Sequence, residues 1–181
     1  AVETAIKLAR KWAYKVKKVL PGQARVVVCD ANFHGRTMGV ISFSTDPSAK
    51  NEFGPFLEGF NVVPYNNLPA LEKAFQSEHV AAFLFEPIQG EAGVVVPDEG
   101  YYKGIRELCN RYNVLMVADE IQTGLCRTGK LLAVDHEDVK PDILILGKAL
   151  SGGMMPVSAV LANDEIMLTI HNSSKGIAGI Y

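Results

Sequence analysis

The sequence predicts an α/β fold, a mainly parallel sheet flanked by helices. Apolar runs of strand length recur at residues 25–30, 80–85, 114–119 and 142–147, rich in Val, Ile and Leu. They are apolar almost throughout instead of alternating, as strands covered on both faces are. Stretches of helical spacing separate several of them, and that alternation implies parallel strands joined by right-handed crossovers.

Taken in order, residues 1–20 form a basic amphipathic helix. Ala5, Leu8, Ala9, Trp12 and Val16 share one face, and Lys7, Arg10, Lys11, Lys15, Lys17 and Lys18 lie elsewhere. A mitochondrial transit peptide has a similar look, but this stretch lacks the usual serines and its bulky stripe suits docking on a sheet, so a domain helix is expected. Pro21-Gly22 breaks it ahead of the first strand, and a glycine-bearing loop with Phe33 to Thr37 follows. Residues 44–65 are expected to be a long surface excursion with a short Val62-Val63 strand, the kind of segment that shapes the mouth of a site. Residues 68–77 have helical spacing, and the run at 80–85 ends at Glu86-Pro87. A helix at 99–112 turns Tyr102, Ile105, Leu108 and Cys109 inward and feeds the strand ending at Asp119. The next strand reaches Lys148, and after Ser151-Gly152-Gly153 residues 156–161 are expected to form another.

With 181 residues, 48% apolar content and 21% charge, the chain is long enough for a substantial core. A net charge of −2 with both signs interspersed gives no electrostatic case for nucleic acid or an anionic membrane, and no run is long enough to span a bilayer. Small molecules or protein are the expected partners. Cys29, Cys109 and Cys126 form no C-x-x-C and have no histidine at ligand spacing, so no metal and no role is assigned to them, and a reduced compartment fits. Because Ala1 falls inside a helix, the chain is expected to be a piece of something longer.

The chemistry is concentrated in Asp119 and Lys148. Each closes a buried strand at its carboxyl end, where open α/β sheets put ligands. A strand-end charge can merely solvate the edge of a sheet, but a lysine and an acid in one apolar crevice suit imine chemistry. The lysine amine can hold an aldehyde cofactor covalently while the carboxylate keeps a pyridine nitrogen protonated, the arrangement for pyridoxal 5'-phosphate. A nucleotide-binding ATPase is the competing reading, because residues 115–120 imitate a strand ending in a magnesium-binding acid. No G-x-x-x-x-G-K-[ST] loop accompanies it, and Ala149 stands where the magnesium hydroxyl would be.

Asp119-Glu120-Ile121-Gln122-Thr123-Gly124 and Gly147-Lys148-Ala149-Leu150-Ser151-Gly152-Gly153 resemble segments of the class III aminotransferases. So do Glu86-Pro87-Ile88-Gln89-Gly90-Glu91-Ala92-Gly93, Asn32-Phe33-His34-Gly35-Arg36-Thr37 and Phe53-Gly54-Pro55-Phe56. The resemblance implies part of the cofactor-binding large domain of a fold type I pyridoxal phosphate enzyme over residues 1–170, incomplete, followed by a divergent tail at 171–181. It makes Lys148 and Asp119 catalytic and cofactor-binding. Gln122 would reach the cofactor's phenolic oxygen, and Ile121 and Phe33 would lie on the two ring faces. Arg36 would grip a substrate carboxylate, and Glu91 would pair with an arginine beyond this chain.

The Glu91-Ala92-Gly93 loop and the 53–60 region favour transfer of the δ-amino group of ornithine to 2-oxoglutarate, giving glutamate 5-semialdehyde and glutamate. Acetylornithine or 4-aminobutyrate is the alternative donor. The resemblance further implies amino-acid and 2-oxo-acid substrates, a homodimer or higher homo-oligomer, and a mitochondrial matrix location with the cytoplasm as alternative. The family's phosphate-binding turn would lie before and across Ala1, and its phosphate-reaching Ser and Thr would align with Ile177 and Ala178. A chain lacking these elements is expected to show little or no activity by itself, so a non-catalytic truncated chain is the remaining reading.

Overall fold

The four long apolar runs become adjacent parallel strands. In the computed structural model, which describes residues 1–170, one sheet contains β1 (Arg25–Cys29), β2 (Phe60–Val63), β3 (Val80–Phe85), β4 (Leu115–Asp119), β5 (Ile143–Leu146) and β6 (Ala159–Ala162). Their order is β2-β1-β3-β4-β5-β6. All pairings are parallel except β5 with β6, whose antiparallel register sets Leu146 opposite Ala159. The short strand expected at Val62-Val63 is two residues longer and adds to the sheet's edge beside β1. The expected tail at 171–181 lies outside the described residues.

Helices α1 (Val2–Trp12), α2 (Met38–Ile41), α3 (Pro47–Lys50), α4 (Leu68–Phe75), α5 (Tyr101–Tyr112) and α6 (Asp164–Met167) surround the sheet. The basic first segment is a domain helix, as expected: Leu8, Ala9 and Trp12 are buried in one core with Val26, Val28 and Leu84. Its last turns widen into a π-helical stretch at Ala13–Lys17, closed by Lys18 in the left-handed region. The opposite face of the sheet packs against α4 and α5, where Phe75 and Ile105 meet Val27, Phe83 and Met116. Alternate residues of one strand therefore serve two cores, which is why the runs carry no polar alternation. Helix α4 starts where Asn67 accepts a hydrogen bond from Ala70 N at 2.9 Å, and α5 stops at Asn113, whose φ of 51° asparagine tolerates.

From β1 the chain runs outward to β2, then crosses back through α4 to place β3 on the other side of β1. The order reverses at β1, so a crevice opens at the carboxyl ends of β1 and β3. The long excursion at 44–65 holds only α3 and the edge strand β2, and Phe53, Phe56 and Leu57 are exposed there.

Candidate functional site

Polar residues collect where the central strands end. Asp119 closes β4, Glu86 follows β3, Lys148 follows β5 by two residues, and the loop after β1 carries Phe33 to Arg36. A cleft of about 100 Å³ is lined by Phe33, Asp119, Ile121, Gln122 and Lys148 together, five of the seven predicted site residues. A second space of about 400 Å³ shares Ile121, Gln122 and Lys148, so the cleft has a wide approach.

Lys148 is exposed at the mouth of this cleft, not buried. Its φ of 40° lies in the left-handed region, which costs a non-glycine residue conformational energy and is tolerated where the surroundings fix the backbone. The preceding Gly147 is buried against Ile121. A Cβ there would come within 3.1 Å of Ile121 Cγ2, so a larger residue would need the Ile121 side chain to shift by a few tenths of an ångström.

Asp119 is buried, and both its oxygens are engaged. Oδ1 accepts from Ile121 N at 3.1 Å, and Oδ2 lies 2.7 Å from His34 Nδ1. The His34 side chain is completely buried, 5.9 Å from the Phe43 ring, and its Nε2 has no hydrogen-bond partner among the described residues. Glu86, also buried, accepts from Phe33 N at 3.0 Å. Burial pushes the Glu86 carboxyl up to about 7; the nearby His34 opposes that rise, as does the Phe33 hydrogen bond, while Asp119 and Glu91 add to it.

The turn after β4 is held from below. Glu120 is buried, accepts from Thr123 Oγ1 and takes Val134 N at 3.0 Å. Its carboxyl is raised chiefly by burial, and those hydrogen bonds oppose the rise. This anchor presents Ile121 half-buried and Gln122 exposed. Gly90 faces Gln122 so closely that a Cβ would come within 2.4 Å of its Oε1.

Arg36 and Glu91 stand apart from the five. Arg36 is exposed, its guanidinium carbon 5.4 Å from the Phe33 ring centroid, and it lines a neighbouring cavity of about 450 Å³ together with Phe33 and His34. Glu91 is exposed and lines neither space at the cleft, although its charge reaches Glu86. Sequence reasoning passed over His34, Glu86 and Glu120 as functional residues. For Glu86 the signal was present, since it too ends a buried apolar run; for His34 and Glu120 only the fold brings out the contacts.

The donor set suits a planar cofactor with one aldehyde, one ring nitrogen and one phenolic oxygen. An amine, a carboxylate and a primary amide open on one cleft whose lining includes the apolar side chains Ile121 and Phe33. Gly90 and Gly147 let the Gln122 and Ile121 side chains approach the backbone at 2.4 Å and 3.1 Å from where a Cβ would stand.

Comparisons with known proteins agree with this geometry. The family model described as aminotransferase class-III matches residues 1–178. Mitochondrial ornithine aminotransferase of Rattus norvegicus is 61% identical over 97% of the chain, which covers 40% of that relative. An ornithine aminotransferase structure from Toxoplasma gondii, with pyridoxal phosphate at partial occupancy in its active site, superposes with a TM-score of 0.93 at 51% identity, over 98% of this chain and 42% of that one. Acetylornithine aminotransferase from Elizabethkingia anophelis gives 0.80 at 57% identity, over 98% and 43%. The chain thus spans about two-fifths of the length of the relatives it matches. A lysine and an aspartate at the ends of neighbouring parallel strands, within a fold and sequence shared over nearly the whole chain, make it a member of the class III aminotransferases.

Proposed function

We propose that this chain is the central part of a pyridoxal phosphate-dependent aminotransferase that moves the δ-amino group of ornithine to 2-oxoglutarate, giving glutamate 5-semialdehyde and glutamate. The observation that carries the proposal is the shared cleft of Lys148 and Asp119 at the carboxyl ends of adjacent strands. Ornithine is favoured by the rat and T. gondii relatives. Acetylornithine is the alternative, supported by the E. anophelis structure, which shares 57% identity.

When bound, pyridoxal phosphate supplies the electron sink that stabilises a carbanion beside the transferred amine. The Lys148 amine would hold the cofactor through its aldehyde, and its Nζ would serve as the base that moves the proton. The Asp119 carboxylate would pair with the cofactor's ring nitrogen and favour its protonated form away from water. Gln122 would donate its amide to the phenolic oxygen, and Ile121 and Phe33 would pack on the two ring faces. Arg36 offers a planar fork for a substrate carboxylate, and its position over the Phe33 ring couples substrate binding to the stacking residue. Glu91, exposed beside the cleft, is available to an arginine from outside the described residues.

The whole protein is proposed to be a homodimer or higher homo-oligomer acting on amino acids and 2-oxo acids. The exposed apolar residues Val94, Val95, Val96, Met154, Met155 and Val157 support a covered surface beside the site. The mitochondrial matrix is the proposed location, supported by the rat relative, with the cytoplasm as the alternative. The 181-residue chain by itself is proposed to be weak or inactive.

The test is the absorbance spectrum of the full-length protein incubated with pyridoxal phosphate, beside Lys148→Ala. A visible band that needs Lys148 and shifts on adding ornithine, but not 4-aminobutyrate, is the expected result. A folded protein whose band survives Lys148→Ala, or that responds equally to every amine, overturns the assignment.

A further inference from the structure

Two buried polar residues outside the predicted set lie on a directional path to Asp119: Glu86 holds the loop that carries His34, and His34 contacts Asp119. Glu86 lies at the end of β3 and accepts the backbone N–H of Phe33 at 3.0 Å. That bond ties the loop after β1 to the neighbouring strand at the residue before His34. His34 in turn contacts Asp119 Oδ2 at 2.7 Å, while Ile121 N holds Oδ1. An aspartate carboxylate otherwise turns freely about its last torsion, which is broad. Two donors on two different oxygens leave it one orientation.

The contact with a carboxylate requires the proton on Nδ1, so Nε2 is the atom left buried without a partner among the described residues. A buried polar atom without a hydrogen bond costs stability, and a phenylalanine would occupy the same space without that cost. A histidine here therefore fits a role in holding Asp119 better than a role in packing.

We propose that His34 and Glu86 are positioning residues for the cofactor site: Glu86 pins the loop that carries Phe33 and His34, and His34 fixes the carboxylate of Asp119 toward the ring nitrogen of the cofactor. The proposal rests on the function proposed above. It assigns the chain Glu86, Phe33, His34, Asp119 a single task, which is to align the stacking ring and the carboxylate together. Neither His34 nor Glu86 needs to touch substrate.

The test uses the full-length protein loaded with pyridoxal phosphate labelled with ¹⁵N in the ring. The variants are His34→Phe, which removes the donor, and His34→Asn, which keeps an N–H donor near the position of Nδ1. Glu86→Leu removes the acceptor for Phe33 N, and Glu86→Gln keeps it. The ¹⁵N shift is expected to stay at the protonated value in wild type, His34→Asn and Glu86→Gln, and to move toward the unprotonated value in His34→Phe and Glu86→Leu. With it, kcat falls about ten- to a hundredfold in those two, as loss of one hydrogen bond to a charged group allows, with KM for the amino donor nearly unchanged.

If His34→Phe keeps the wild-type ¹⁵N shift, or if His34→Asn falls as far as His34→Phe, the positioning role is refuted. Should His34→Phe not fold, the Glu86→Leu and Glu86→Gln pair decides by the same shift. A wild-type protein without a Lys148-dependent band would instead refute the proposed function, and this inference with it. A normal band with an unmoved ¹⁵N shift refutes the inference alone.

Discussion

Replacing Glu86 with glutamine should remove a pH dependence from folding. The Glu86 carboxyl sits at about 7 against an ordinary 4.5, first because burial penalises its charged form, with His34 and the Phe33 hydrogen bond opposing. The folded state thus binds this proton roughly three-hundredfold more tightly than the unfolded chain, worth about 3 kcal/mol at 1.36 kcal/mol per pKa unit. Because the folded value is the higher one, the contribution is fully present below about 4.5. It is lost progressively as pH rises toward about 7 and is gone above that. Glutamine keeps the acceptor for Phe33 N and does not titrate. Stability of wild type and Glu86→Gln is measured by urea unfolding from pH 4.5 to 8, following fluorescence of Trp12, the chain's one tryptophan, which is buried in the α1 core. The difference between the two proteins should swing by about 3 kcal/mol in favour of Glu86→Gln on raising the pH. Subtracting the curves cancels other titrating groups, Glu120 among them. A difference that stays flat across this range would show that Glu86 is not held protonated by burial, and the reasoning would fail.

Two further substitutions probe the frame of the site. Gly90→Ala should displace the Gln122 amide, because a Cβ there comes within 2.4 Å of Oε1. The obstacle is the end of a flexible side chain, so thermal stability should barely change, while a cofactor titration shows weakened binding. Asp142→Ala should cost about 1–3 kcal/mol in denaturant unfolding, because Asp142 Oδ2 accepts from both Met116 N at 2.7 Å and Arg106 at 2.9 Å. A loss no larger than that of a surface substitution would show that Met116 N finds another partner.

The strands were legible because burial on both faces leaves a composition that local sequence records. Val80 to Phe85 is buried at every position, and its run is apolar at every position. The edge strands were less legible for the same reason reversed. β2 is mostly half-exposed, with Asn61 in its middle, and β6 mixes half-buried and exposed positions, so neither carries a full apolar signature. The antiparallel turn of β6 depends on its pairing with β5, a choice no local pattern encodes.

The site divides along a similar line. Asp119 and Lys148 announce themselves because a charge closing an apolar run breaks a pattern, and Ile121 and Gln122 follow from their place in the next turn. His34 breaks no pattern in a polar loop, and its importance lies in an 85-residue separation from Asp119 that only the crossover from β1 to β3 and β4 closes. Glu86 ends an apolar run just as Asp119 does, so the rule that singled out one acid applied equally to the other. What separates them is direction: Asp119 lines the cleft with one oxygen held by His34 and the other by Ile121 N, whereas Glu86 holds the backbone of the loop that carries His34. Sequence order can supply the ionisable groups at strand ends, but which of them faces a ligand and which supports its neighbour is decided by hydrogen bonds between loops that the sheet brings together.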